Sequence, residues 1–246
     1  MKCFYSLFPC FSVPCFLTKT RVIFSVEAEK VEVQGTRKQG NKHGPGNYSE
    51  VIMSSTENTV RSVAVYCGSA DGNDPAFLAE AKALGTAIAR NGLGLVYGGA
   101  CVGLMGAVAD AALAGGAQVV GVLPEVLANR EVAHTGLTRL ELVPNMHKRK
   151  ARMAQLADAF LILPGGYGTL EELLEVVTWA QLRIHAKPCI LINTANYWDG
   201  LLRFLDTAVV AGFLKPRNRA LLQVAVHGEE AVQMALAGMG ALSETS

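Results

Sequence analysis

Residues 163–181, LPGGYGTLEELLEVVTWAQ, constrain this chain more than any other stretch: they read as a buried strand that ends in a glycine turn and opens directly into an amphipathic helix. Gly165, Gly166 and Gly168 let the backbone turn tightly and approach a ligand, and the first N–H groups of the helix point into the same space. Such a terminus suits an anion, most simply a phosphate. Two carboxylates, Glu171 and Glu172, follow at once, so an anion site here requires a division of labour. Thr169 and Glu172 also have the spacing of a capping box, in which each side chain bonds the other's backbone N–H. That structural use of Glu172 competes with any chemical one.

From Ser62 onward, short apolar runs alternate with helical patterns, which predicts an α/β fold: a Rossmann-like three-layer sandwich whose doubly wound, mainly parallel sheet is covered by helices on both faces. Strands are expected over 63–67, 93–97, 119–123, 140–143, 159–163 and 189–192, with a last strand-helix pair near 222–237. Helices are expected over 75–91 and 107–114, from near Asn145, and beyond Trp198. Glycine turns end three of the strands, at Gly68-Ser69, Gly98-Gly99 and Gly165-Gly166. In such sheets ligands bind beyond the carboxyl ends of the strands, where the strand order reverses, so three converging turns make a nucleotide-sized crevice. A dinucleotide site is disfavoured, because neither Gly68-Ser69-Ala70 nor the spacing Gly99, Gly103, Gly106 gives G-x-G-x-x-G. Glu125, at the distance of a ribose-binding acid, follows Pro124 and reads as a surface loop residue.

Charge balance narrows the ligand class. With a formal net charge of +1 over 246 residues, nothing draws the chain toward nucleic acid or an acidic membrane, and a small-molecule ligand is expected. Cys3, Cys10 and Cys15 crowd the N-terminus, while Cys67, Cys101 and Cys189 stand singly; neither set has metal-ligand spacing with histidine, and a reduced cytoplasm is the expected home. Residues 1–58 differ in character: an apolar, aromatic run broken by Pro9 and Pro14, then a polar stretch. The run is too short and broken to span a bilayer and lacks a clear signal cleavage site. Residues 1–58 are therefore expected to be a disordered or non-native extension, with a natural start at Met53 and a single domain over 59–246.

The basic segment Met146-His147-Lys148-Arg149-Lys150-Ala151-Arg152 precedes the strand that leads into the glycine turn. Lys148 and Arg152 are expected on a solvated face and His147 on the helix surface, whereas Arg149 and Lys150 adjoin the turn. An arginine clamps a phosphate or carboxylate through two bonds and keeps its proton at physiological pH, so Arg149 is assigned electrostatic work. Farther along, Glu171, Glu175 and Thr178 share one helix face, and Leu170, Leu173, Leu174 and Val177 are expected to pack inward.

Met146-x-x-Arg149-Lys150 followed by Pro164-Gly165-Gly166-Tyr167-Gly168-Thr169-Leu170-Glu171-Glu172 resembles the paired signature of the LONELY GUY family, the cytokinin riboside 5′-monophosphate phosphoribohydrolases, often labelled lysine decarboxylases. The resemblance extends to CGS at 67–69, YGGACVGLMG at 97–106 and TWAQL at 178–182; Ala100 stands where many relatives carry a third glycine. It implies hydrolysis of the N-glycosidic bond of a nucleoside 5′-monophosphate, a cytokinin riboside 5′-monophosphate or AMP, to free base and ribose 5-phosphate. Glu172 and Arg149 are the catalytic residues it implies. Substrate contacts carry over to Gly68, Ser69, Gly98, Gly99, Met105, Glu131, Met146, Lys150, Pro164, Gly165, Gly166, Tyr167, Gly168, Thr169, Leu170, Glu171, Glu175 and Thr178. Neither metal nor cofactor is implied, because backbone N–H groups and basic side chains meet the phosphate charge. No lysine stands in a pyridoxal-phosphate setting. A homodimer or higher homo-oligomer is implied, with the helix around Trp179 as an interface. The alternative function is a non-catalytic carrier of a nucleotide or phosphorylated cofactor, against which the presence of both Arg149 and Glu172 argues.

Overall fold

Strands that are apolar on both sides fit only where both faces of a sheet are covered, and the four core strands of this chain are buried along their length apart from Ser62. The computed structural model describes residues 60–128 and 133–243. The extension expected over 1–58 and the contact expected at Glu131 lie outside the described residues. Seven strands, β1 (Ser62–Tyr66), β2 (Gly94–Tyr97), β3 (Val119–Pro124), β4 (Arg139–Val143), β5 (Ala159–Ile162), β6 (Cys189–Ile192) and β7 (Leu222–Ala225), form one sheet in the order β4-β3-β2-β1-β5-β6-β7. All six pairings are parallel. The chain winds outward from β1 to β4, then returns to lay β5 against the other side of β1. The order therefore reverses between β1 and β5, which places a ligand crevice at their carboxyl ends.

The helices are α1 (Pro75–Arg90), α2 (Gly103–Ala114), α3 (Glu125–Ala128), α4 (Met146–Leu156), α5 (Tyr167–Gln181), α6 (Asp199–Val210), α7 (Pro216–Arg219) and α8 (Gly228–Ser243). One core joins the sheet to α1, α2 and α8 through Leu84, Ile88, Leu104, Val108 and Val232. The other joins the opposite face to α4 and α5 through Met153, Ala154, Leu173 and Val176, with Leu201, Leu202 and Leu205 of α6 packed on its margin. Glu125 is exposed, as expected, but opens the single turn α3.

Helix α2 starts earlier than its sequence pattern predicts and takes in Gly103 and Gly106. A Cβ on Gly106 would lie 2.3 Å from the carbonyl oxygen of Cys101, so the bare backbone is what lets the turn close onto the helix. Gly85 plays the same part between α1 and α2, where a Cβ would stand 2.3 Å from the Val108 carbonyl and 2.8 Å from the Ala111 Cβ. Gly85→Ala gains about 0.5–1 kcal/mol of helix propensity, which is smaller than the cost of forcing two packed helices apart, about 1–3 kcal/mol. A net loss of stability in urea unfolding is expected; an unchanged or raised midpoint would contradict the packing.

Candidate active site

The carboxyl ends of β1 and β5 are tied directly together. Gly68 donates its N–H to the Pro164 carbonyl at 3.0 Å, and Leu163 donates to the Tyr66 carbonyl at 3.0 Å. Helix α5 then starts at Tyr167 with Gly166 as its N-cap and no side-chain cap bond. This corrects the capping-box expectation: with the cap at Gly166, Thr169 already stands inside the first turn and Glu172 lies beyond reach of the terminus. Thr169 packs instead on Gly165, where a Cβ would fall 2.1 Å from its hydroxyl oxygen. Nothing lies within 4 Å of where a Cβ would stand on Gly166 or Gly168, so this uncapped helix end faces open space. An uncapped, unobstructed terminus retains its attraction for an anion.

Glu172 turns inward. It is 6 % exposed, and beside it lies Arg149 of α4, 7 % exposed, whose Nη1 donates to Glu172 Oε1 at 3.3 Å. Arg149 is held in turn by its Nε, which donates to the Val122 carbonyl at 3.1 Å, and by its helix, whose N-cap Asn145 accepts from the Lys148 N–H. Gly98 leaves the room this guanidinium occupies: a Cβ there would stand 2.1 Å from Arg149 Nη2. Burial pushes the Glu172 carboxyl up to about 7, outweighing the lowering by Arg149. A carboxyl with that value exchanges its proton near neutrality, which is the requirement for acid-base work. Burial drives the nearby Cys67 thiol far above its ordinary range, so it is a neutral wall and not a nucleophile.

These groups surround a cavity of about 230 Å³ lined by Cys67, Gly68, Ser69, Met105, Met146, Arg149, Gly166, Tyr167, Gly168, Thr169, Glu171 and Glu172. Pro164 and Gly165 line an adjoining cavity of about 320 Å³, which shares Gly68, Ser69 and Gly166 with the first. Other expected contacts lie elsewhere. Gly98 accommodates Arg149, Gly99 packs near Leu123 and Leu140 with φ +79, and Leu170 sits against the core. Thr178 faces a separate cleft with Leu174, Val177, Gln181 and Leu205. Leu174, expected to pack inward, is 46 % exposed, because α5 buries the stripe Thr169, Glu172, Leu173 and Val176. Trp179, expected at an interface, packs in part against the core.

Lys150 is buried, and its Nζ meets Glu171 Oε1 at 2.7 Å and Glu175 Oε1 at 3.2 Å. The Glu171 hydrogen bond raises the lysine's value and lowers that of the glutamate. Its charge is thus matched by carboxylates. Arg152, expected to be solvated, bonds Glu141 through Nε at 2.6 Å and Nη2 at 3.1 Å, while His147 and Lys148 are exposed as expected. Sequence reasoning passed over Phe77 and Tyr197, which wall the adjoining cavity; the aromatic pair Tyr197-Trp198 just past β6 was the available signal. Among the described residues no group of three or more His, Cys, Asp and Glu side chains is arranged to hold a metal.

Fold and site together define a Rossmann-like α/β protein with an open helix terminus beside a buried carboxyl-guanidinium pair. A family profile described as "Possible lysine decarboxylase" matches residues 105–235. The chain is 46 % identical over 181 residues to cytokinin riboside 5′-monophosphate phosphoribohydrolase LOG7 of Arabidopsis thaliana, covering 74 % of this chain and 83 % of that one. It is 50 % identical over 175 residues to the cytokinin riboside 5′-monophosphate phosphoribohydrolase of Rhodococcoides fascians, covering 71 % and 88 %. The chain belongs to the cytokinin riboside 5′-monophosphate phosphoribohydrolase family. The solved molybdenum cofactor binding protein of Rippkaea orientalis shares the fold, with a TM-score of 0.55 at 21 % identity over 72 % of this chain and 96 % of that one.

The buried carboxyl also leaves a mark on stability. Its folded-state value of about 7 exceeds the ordinary 4.5, so folding favours the protonated form, and Glu172 costs more stability as pH rises from about 4.5 to about 7. Relative to the wild type, Glu172→Gln is expected to gain about 2–3 kcal/mol between pH 5 and pH 8. Urea unfolding at each pH measures this; a difference that stays flat with pH would contradict it.

Proposed function

We propose that this protein hydrolyses the N-glycosidic bond of a nucleoside 5′-monophosphate, a cytokinin riboside 5′-monophosphate or AMP, to free base and ribose 5-phosphate. The observation that carries the reading is the buried Glu172, paired with Arg149 and facing the same cavity as the uncapped N-terminus of α5. In this reading the 5′-phosphate binds the N–H groups from Gly166 to Thr169, which sets the anomeric carbon of the ribose toward Glu172. As the bond from that carbon to the base nitrogen breaks, positive charge grows on the ribose ring and the ionised carboxylate stabilises it. Glu172 then takes a proton from the attacking water, whose oxygen bonds the anomeric carbon. The base leaves with the bond's electron pair and picks up a proton from solvent, to which Glu172 returns the one it took, so the carboxylate is regenerated. Arg149 holds the carboxylate in place. Met105 and Met146 offer apolar, adaptable walls to the base.

Lysine decarboxylation fits these residues poorly. An imine-forming lysine needs a lowered value, whereas Lys150 is raised by two glutamates. We further assign the protein to the cytoplasm and residues 59–246 to a single domain. Association into a homodimer is supported by exposed apolar side chains at Leu174, Leu182, Ile184, Phe204 and Phe213. Among the described residues no helix is long and apolar enough to cross a membrane.

Purified protein incubated with AMP or isopentenyladenosine 5′-monophosphate is expected to release free base, detected by chromatography. The corresponding nucleosides should react at least about tenfold more slowly, since phosphate binding positions the bond. Glu172→Gln should lower turnover by about 10²–10⁴. Absence of base release from any monophosphate, or equal cleavage of the nucleoside, would overturn the reading. Light scattering of the same sample should give a dimer mass, and a chain starting at Met53 should keep its activity; a monomer mass or an inactive truncation contradicts those assignments.

A further inference from the structure

The glycine turn is the least self-supporting part of the site. A Cβ on Gly166 or Gly168 would meet nothing within 4 Å, so no side-chain packing backs up the helix bond from the Leu170 N–H to the Gly166 carbonyl, and glycine loses more backbone freedom on ordering than any other residue. Contacts from outside the turn add to that restraint. Gly68 fixes the peptide before Gly165, and Thr169 packs on Gly165 itself. A further restraint comes from the segment just past β6, the strand beside β5: Tyr197 donates its hydroxyl to the Gly165 carbonyl at 2.7 Å, across 32 residues of sequence.

We infer that Tyr197 is a positioning residue that orients the 165–166 peptide so that the glycine turn is set for a phosphate before one arrives. A trans peptide is rigid and planar, and its C=O and N–H point in opposite directions. Fixing the Gly165 oxygen on the Tyr197 side therefore aims the Gly166 N–H the other way. Gly166 lines both cavities, and Tyr197 lines the adjoining one.

Tyr197 is itself held with unusual care for a side chain whose residue is 44 % exposed. Its ring meets Phe77 edge-on at 5.5 Å and Trp198 at 4.8 Å. The two residues before it, Ala195 and Asn196, adopt φ values of 50 and 58, left-handed conformations that side chains other than glycine rarely take. Asn193 pins this turn: its Oδ1 accepts from the Trp198 N–H at 2.8 Å and its Nδ2 donates to Asp199 at 2.9 Å. A hydrogen bond at a partly exposed hydroxyl adds little to global stability, whereas the strained turn that delivers it costs the fold something. Strain maintained at the rim of a ligand cavity is the signature of a local, functional constraint.

The inference rests on the proposed phosphoribohydrolase reading but can be tested apart from it. Tyr197→Phe keeps both ring contacts and removes only the donor. Its KM for AMP is expected to rise about three- to tenfold, the weight of one neutral hydrogen bond, with kcat within about twofold and the thermal midpoint unchanged. Tyr197→Trp, which keeps an aromatic ring without a hydroxyl at that place, should not restore KM. Calorimetric titration with AMP on the Glu172→Gln background reads the same weakening without turnover. If the wild type releases no base yet Tyr197→Phe still weakens AMP binding, the function is wrong and the latch stands. An unchanged KM and an unchanged AMP affinity, or an equal loss for the unphosphorylated nucleoside, would overturn the latch.

Discussion

A carboxyl and a guanidinium buried side by side at the end of a parallel sheet set the terms for everything around them. Removing two charges from water costs several kcal/mol per ion even after relaxation, and their attraction recovers this only with good geometry and further bonds. Arg149 obtains such a bond from the Val122 carbonyl within β3, but only because Gly98, just past β2, has no side chain. Glu172 receives one arginine contact and remains short of full compensation, which is why burial prevails and its proton is held to about 7. The pair is a poor stabiliser, and it leaves the carboxyl able to exchange its proton near neutrality.

The surrounding charges are sorted away from Glu172. Glu171 and Glu175, its neighbours on α5, are taken up by Lys150 from α4. The backbone N–H groups at the start of α5 are left uncapped. Three acidic side chains and a helix terminus that attracts anions thus share one helix without cancelling one another. The carboxylates leave the terminus for basic partners on α4, and the terminus is free for an anion from outside. Tyr197, reaching across from just past β6, adds a hydrogen bond to the Gly165 carbonyl of the glycine turn.

Much of this was legible in the sequence because it depends on local pattern. Continuous apolar runs located the strands and the alternation gave the parallel sheet. Of the three glycine turns read as converging on one crevice, those after β1 and β5 line it, whereas Gly98-Gly99 after β2 instead makes room for Arg149 and packs near Leu123 and Leu140. The capping box was misread because Thr169 and Glu172 fit it by spacing alone; the cap position is decided by where the turn ends, and that is at Gly166. Leu174 was misassigned because one extra leucine on a helix broadens the apolar stripe without showing which edge faces the sheet. Lys150 and Arg152 looked solvated or free to bind an anion because their partners, Glu171, Glu175 and Glu141, lie on other elements. Tyr197 was missed for the same reason: its acceptor is a backbone carbonyl 32 residues away.

Glu172 is buried against Arg149 and poised to exchange a proton near neutral pH. Carbon-13 NMR of the side-chain carboxyl in glutamate-labelled protein, with Glu172→Gln to assign the resonance, reads that proton directly. A titration midpoint near 7 is predicted, well separated from that of exposed glutamates; a midpoint near the ordinary value of 4.5 would contradict the account.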